Sequence, residues 1–206
     1  MHKPLIISLK KPEALTESSK ILMNNGVIVI PTDTVYGIAC LAFNTTAIER
    51  IFSIKSRAVT KALPILIGDL EQLELIAKPI NKNAEKLVKT FWPGALTLVV
   101  LRKHNLPENL SPYPTVGVRM PNHAWLIELI KNVGPLATSS ANLSGQPEAH
   151  NVLEIIEALN EKIDLIVDGG QSTMTLPSTV VDCSGNGIKI LREGPIKSTA
   201  ILNLIQ

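Results

Sequence analysis

The sequence predicts a single α/β domain built on a mixed sheet. Three observations carry this. Short apolar, β-branched runs alternate with amphipathic helical stretches along all 206 residues, the pattern of strands interleaved with helices. The last two strand-like runs, 178–182 and 188–191, are joined only through Gly185-Asn186-Gly187. So short a turn makes them antiparallel, which makes the sheet mixed. Hydrophobic residues make up 45% of the chain, with no repeat and no low-complexity segment. That is enough for one sizeable core, so residues 1–206 are read as one domain.

Taken in order, residues 12–25 read as a helix. Leu15, Ser18, Ser19 and Leu22 share one stripe, and Asn24-Asn25-Gly26 stops it. Residues 27–30 form a buried strand, closed by Pro31, which cannot donate to a ladder. The loop Pro31-Thr32-Asp33-Thr34-Val35-Tyr36-Gly37 then places four polar groups at a strand end, where open α/β sheets bind ligands. Strand 38–43 follows, and Asn44 caps a helix to about 54 with Ala47, Ile48, Ile51 and Phe52 on its core stripe. Lys55 and Arg57 would diverge by about 200° on a continuing helix. The β-branched Val59 and Thr60 predict an extended exit on which the two cations share a face. The helix dipole alone also favours cations there.

Residues 63–68 read as a strand, and 69–77 and 80–91 as helices. Trp92-Pro93-Gly94 breaks the second helix and feeds strand 96–101. A proline-spotted loop leads to strand 115–119, which ends in Arg119. Asn122 is expected to cap a helix to 131, and Gly134-Pro135 turns into strand 136–138. A second polar loop follows, Ser139-Ser140-Ala141-Asn142-Leu143-Ser144-Gly145. Its hydroxyls and amide donate and accept without charge, or simply form Asx and Ser turns. Asn151 caps a helix to 161, strand 165–167 ends in Asp168-Gly169-Gly170, and a short helix closes the chain after the hairpin.

Composition excludes several classes. Net charge is +2 and the pI about 8.5, too mild for a protein that coats polyanions. Aromatics are 3%, too few for base-stacking platforms. Cys40 and Cys183 lie in apolar, strand-like surroundings and read as buried thiols in a reducing compartment. The brief apolar patch after Met1-His2-Lys3-Pro4 is not read as a signal peptide. No apolar run approaches the ~20 residues of a membrane span, so a cytoplasmic protein is expected. There is no P-loop, no dinucleotide fingerprint and no nucleophile elbow. The four histidines show no metal spacing with either cysteine.

What remains is a recurring pattern at strand ends: Thr/Asp/Tyr, Lys/Arg/Lys, Arg119, Ser/Ser/Asn, Ser178-Thr179 and Arg192. Cations and hydroxyls without a designated nucleophile suit a site that clamps a polyanion beside a small zwitterion.

The motifs PTDTVYG (31–37), KSR (55–57) with KAL (61–63), WPGALT (92–97), VGVRMP (116–121), SSANLSG (139–145), STVVD (178–182) and LREG (191–194) cover nearly the whole chain. In this order they resemble the YrdC-type threonylcarbamoyl-AMP synthases, in the short, single-domain form. That resemblance implies a twisted mixed sheet around a positively charged cavity. It implies ATP, L-threonine and bicarbonate as substrates, Mg²⁺ accompanying ATP with no protein ligand assigned, and service to tRNA modification through downstream transfer proteins. By the same resemblance Lys55 and Arg57 are the catalytic cations, and with Lys61 they hold the phosphates. Ser140 and Asn142 fix the nucleotide, with Ser139 and Thr115 near it, and Arg192 contacts ATP. Thr34 touches threonine, Arg119 its carboxylate, Ser178 lies beside it, and Tyr36 walls the cavity. Asp33 either binds magnesium-bound water or caps. The chain departs from the family at Ala62 and Ala95, where prolines are common. Two other readings compete: a non-catalytic RNA-binding module, and an α/β domain using these residues only as caps and dipole partners. Cations gathered in one pocket would favour a small anionic ligand, and cations spread on an open face would favour RNA.

Overall fold

The computed structural model describes residues 3–159, 162–172, 174 and 176–205. The strands are β1 (Leu5–Ser8), β2 (Ile28–Ile30), β3 (Gly37–Leu41), β4 (Ile65–Leu66), β5 (Leu96–Leu101), β6 (Thr115–Arg119), β7 (Leu136–Ser140), β8 (Leu165–Asp168), β9 (Thr179–Asp182) and β10 (Lys189–Arg192). The helices are α1 (Glu13–Met23), α2 (Thr45–Ile54), α3 (Leu70–Ile76), α4 (Lys82–Phe91), α5 (Ala124–Val133), α6 (Val152–Leu159) and α7 (Ser198–Ile205). One sheet holds all ten strands, in the order β1-β8-β2-β3-β7-β4-β6-β5-β9-β10. It is mixed, as expected: β8 pairs in parallel with both β1 and β2, while β3 is antiparallel to β2 and β7.

Side-chain alternation assigns each face its cover. Val29, Ile38, Cys40, Ile65, Leu98, Val118 and Ala137 join one core with residues of α2, α3, α4, α6 and α7. Ile28, Ile30, Ala39, Leu66 and Leu136 join a second core with α1 and α5. In β5, β6 and β7 the second face carries Thr97, Gly117, Arg119 and Thr138, so apolar packing there gives way to polar groups.

Several expectations are corrected. Strand β1 had no separate prediction. Its Leu5 and Ile6 are exposed, so it lacks the two-sided burial that makes a strand legible. The buried stripe of α1 is Ala14, Ser18 and Leu22, not the predicted Leu15 and Ser19, since i, i+4, i+8 tracks the inner face more closely. His123, not Asn122, caps α5, with its Nδ1 accepting from the Leu126 N–H at 3.3 Å. The predicted end of α6 at residue 161 lies outside the described residues.

The exit from α2 is a turn, not a strand. The Ser56 N–H donates to Ser53 O and the Arg57 N–H to Phe52 O at 2.9 Å, with Ser56 at φ +47. This is a Schellman closure with serine in the usual glycine place. It turns Lys55 and Arg57 in different directions.

Gly194 sits where no side chain fits. A Cβ there would come under 3.0 Å of backbone atoms of Pro177, Ser178 and Thr179, none of which can swing away. Gly194→Ala is expected to cost ~1–3 kcal/mol by overpacking, read as a lower urea midpoint at unchanged m-value.

Candidate active site

The predicted residues converge, but not at a common carboxyl edge of the sheet. Leu66 of β4 pairs with Arg119 of β6 and also with Leu136 of β7. The start of β7 therefore lies level with the end of β6. Ser140, four residues on, is roughly 13 Å further along the sheet. The antiparallel β4–β7 pairing thus sends the two predicted strand ends to opposite edges. They meet on the face of the sheet instead, where a cavity of about 200 Å³ is lined by Thr34, Tyr36, Arg57, Leu66, Thr97, Arg119, Thr138, Ser139, Ser140, Glu148, Ser178 and Arg192, among others. Gly37 allows the close approach, since a Cβ on it would lie 2.9 Å from Thr138 Oγ1. A larger hollow of about 450 Å³ between α3 and α4 contains none of the motif residues.

Arg119 is the most constrained group. Its Nε donates to Gly94 O at 2.9 Å, Nη1 to Thr34 Oγ1 at 2.9 Å, and Nη2 to Asp33 Oδ1 at 2.6 Å. The Arg119–Asp33 side chains are 7% and 13% exposed, so the pair is nearly desolvated. Asp33 therefore neither caps a helix nor stands free. Burial alone pushes the Arg119 guanidinium below its ordinary range, and Asp33 counters that. Thr34 is also tied to Thr32, Oγ1 to Oγ1 at 3.1 Å.

Tyr36 spends its hydroxyl structurally, donating to Gly170 O at 2.7 Å and accepting from the Gly169 N–H at 2.9 Å. Burial pushes its pKa up. Tyr36 lines both this cavity and a second hollow of about 350 Å³. Ser178 Oγ lies 2.7 Å from Thr97 Oγ1, and Ser178 O accepts from Arg192 Nε at 3.1 Å and Nη2 at 2.8 Å. Arg57 lines the cavity with Nε bonded to Lys61 O at 3.2 Å and Nη2 to Ala62 O at 2.8 Å.

Four predicted residues are not on the cavity wall. Asn142 is buried, with its Oδ1 accepting from Ser140 Oγ at 2.5 Å. Thr115 faces the same side of the sheet as Gly117 and Arg119, at the far end of β6. Lys61 is exposed. Lys55, the fourth, is 1% exposed. Burial first, and the Arg57 guanidinium second, push its ammonium down to about 8, with Glu148 pulling the other way.

Thr97, Thr138 and Glu148 are polar cavity residues that sequence reasoning did not assign to the site. Thr97 was hidden inside an apolar strand, though it is the one polar residue of Leu96–Leu101. Glu148 is the only cavity-lining carboxylate among the described residues, and it carried no motif signal. Burial raises both cysteine thiols to about 12, so they serve as packing. Among the described residues no group of three His, Cys, Asp or Glu side chains could hold a metal ion, and no helix is long and apolar enough to cross a membrane.

Fold and cavity together define a small-ligand α/β protein with three arginines around one pocket. The Sua5/YciO/YrdC family model, described as telomere recombination, matches residues 20–194, and the chain belongs to that family. It is 37% identical over 201 residues to a Homo sapiens protein named threonylcarbamoyl-AMP synthase, covering 92% of this chain and 71% of that one. A Bacillus subtilis protein of the same name is also 37% identical, over 95% of this chain but only 57% of its own length. The structure of Pyrococcus abyssi Sua5 complexed with L-threonine superposes with a TM-score of 0.92 at 34% identity, covering 98% of this chain and 60% of that one. Escherichia coli YciO superposes at 0.86 and 26% identity, over 98% of this chain and all of that one.

Two outcomes follow from these contacts. Asp33→Ala leaves Arg119 charged and unpaired in a buried setting, at a cost of about 3–5 kcal/mol. The Asp33→Ala/Arg119→Met double variant should regain much of that in urea denaturation. For Lys55, the folded state releases its proton near pH 8 while the unfolded chain holds it to about 10.4. Between those values the unfolded state binds more protons, so Lys55 favours folding more as pH rises. The stability difference between wild type and Lys55→Met should shift toward wild type by ~2 kcal/mol between pH 7.5 and 9.5.

Proposed function

We propose that the chain is a threonylcarbamoyl-AMP synthase, which condenses L-threonine, bicarbonate or CO2 and ATP and releases pyrophosphate. The observation that carries this is the gathering of Arg57, Arg119 and Arg192 with neutral hydroxyls around one cavity, in a family whose human and B. subtilis members bear that name. A non-catalytic RNA-binding module is not favoured, because these guanidinium groups share a pocket instead of spreading over an open face.

In this reading the threonine amine captures CO2 as a carbamate. A carbamate oxygen attacks the α-phosphorus of ATP, and pyrophosphate leaves. The nucleophile belongs to the substrate, so the protein's work is positioning and charge neutralisation. Arg119 supplies the grip on threonine. A guanidinium has five donors, and three of Arg119's are committed. One N–H remains on each terminal nitrogen, enough for both oxygens of a carboxylate. Thr34, Tyr36 and Ser178 surround the same ligand. Arg57 and Arg192, with Lys61 at the rim, face the phosphates, and Ser139, Ser140, Asn142 and Thr115 support the nucleotide. Mg²⁺ would arrive on the triphosphate, since it binds mainly through substrate phosphates in such sites. The product serves the threonylcarbamoyl modification of adenosine 37 in ANN-decoding tRNAs, which transfer proteins downstream carry out. Two buried free thiols suit a reducing cytoplasm.

Pyrophosphate release from ATP, with bicarbonate and Mg²⁺ present, should depend on L-threonine. Folded protein that releases none with threonine present overturns the reading. Arg57→Ala should lower kcat/KM by about 10²–10³, the scale of one lost charge-stabilising donor. Arg119→Lys should raise the threonine KM while leaving the ATP KM near wild type, because lysine cannot grip a carboxylate with two parallel bonds.

A further inference from the structure

Lysine is among the residues least often fully buried, yet Lys55 is 1% exposed and contributes nothing to the cavity wall. Its ammonium has three protons and three acceptors, one on the last residue of β7 and two on Asn142 in the loop that follows. Nζ donates to Ser140 O at 2.5 Å, to Asn142 O, and to Asn142 Oδ1 at 3.2 Å. The Lys55 backbone holds the same loop, its carbonyl accepting from the Ser144 N–H at 3.0 Å. Asn142 passes the grip on, with Nδ2 donating to Gln146 O at 2.5 Å and Oδ1 accepting from Ser140 Oγ. Arg57, two residues on and turned away by the positive φ of Ser56, does line the cavity.

We propose that Lys55 is a positioning residue: a buried strut that sets the 139–146 loop and so presents Ser139 and Ser140 to the cavity, without contacting the nucleotide's phosphates. The cation pair of the Lys55-Ser56-Arg57 segment is thereby split, one charge building the loop and the other facing the ligand. A phosphate oxygen could recruit the Lys55 ammonium only by taking the place of one of these three acceptors; Ser140 O would keep the Asn142 N–H and Asn142 Oδ1 would keep Ser140 Oγ, but the loop would lose a charged tether in a buried setting. The inference deepens the synthase reading and depends on it only for the identity of the ligand.

The test begins without ligand. Amide hydrogen exchange is followed in peptides spanning 139–146 and α2, for wild type and Lys55→Met. The strut predicts at least tenfold faster exchange in the loop with α2 unchanged. Unchanged exchange in the loop overturns the proposal, whatever happens to ATP affinity. Calorimetric titrations with ATP and with adenosine separate strut from direct contact. Lys55→Met should weaken both ligands by similar factors, whereas Arg57→Ala should weaken ATP and spare adenosine. Selective loss of ATP in Lys55→Met overturns the proposal.

If Lys55→Met does not fold, reductive methylation of the wild type gives an independent answer. Lys55 should resist labelling equally with and without ATP. Labelling in the free protein that ATP suppresses overturns the proposal. Failure of wild type to bind ATP would defeat the synthase reading and leave the ligand-free exchange result standing.

Discussion

The site is organised by the three-way tether of Arg119. One guanidinium joins the β6 end to Gly94 before β5 and to Asp33 and Thr34 in the loop between β2 and β3. These segments are far apart in sequence. Desolvation makes the arrangement demanding: a buried ion pair is stable only when its remaining donors and acceptors are satisfied. The Nε bond to Gly94 O and the Nη1 bond to Thr34 Oγ1 supply part of that satisfaction, and Thr32 fixes Thr34 through hydroxyl bonds at 3.0–3.1 Å. Among the described residues one N–H on each terminal nitrogen of this fixed guanidinium has no protein partner, and the proposed grip on a carboxylate rests on that preorganisation.

The remaining cations divide by burial. Arg192 is braced by the Ser178 carbonyl and Arg57 by the carbonyls of Lys61 and Ala62. Among the described residues Nη1 of each has no protein partner, and both side chains line the cavity. Lys55 has no such reserve, since its three protons match its three acceptors. Arginine can be both braced and available because its five donors exceed what one brace consumes, and a buried ammonium cannot. The polar wall is completed by the Thr97–Ser178 and Ser140–Asn142 contacts, which add hydrogen-bonding capacity without further charge.

Much of this was legible in the sequence. The alternation of strand and helix, the final hairpin, the Asn44 and Asn151 caps and the family membership follow from local pattern and motif order. Thr34, Tyr36, Arg57, Arg119, Ser139, Ser140, Ser178 and Arg192 were all named from it and all line the cavity. The exit from α2 was misread because β-branched Val59 and Thr60 suggested extension, while the backbone bonds of Ser56 and Arg57 back to α2 decided otherwise. Asp33 was left between two roles, neither of which is its ion pair with Arg119. Thr97 closes the WPGALT motif but was read only as part of an apolar strand, and Glu148 carried no local signal, because their significance lies in what faces them.

The sequence by itself determined the fold class, the family and the chemical inventory of the site: arginines, hydroxyls, one buried amide and no nucleophile. These depend on residue type and spacing along the chain. Only the tertiary structure decided that β4 pairs antiparallel with β7 and parallel with β6. That pairing moved the site from a sheet edge to a sheet face. Only the tertiary structure decided which of two neighbouring cations, Lys55 and Arg57, is buried and which meets the cavity. Strand pairing is set by contacts among residues remote in sequence, and desolvation by everything packed around a group. Neither quantity exists until the chain has folded.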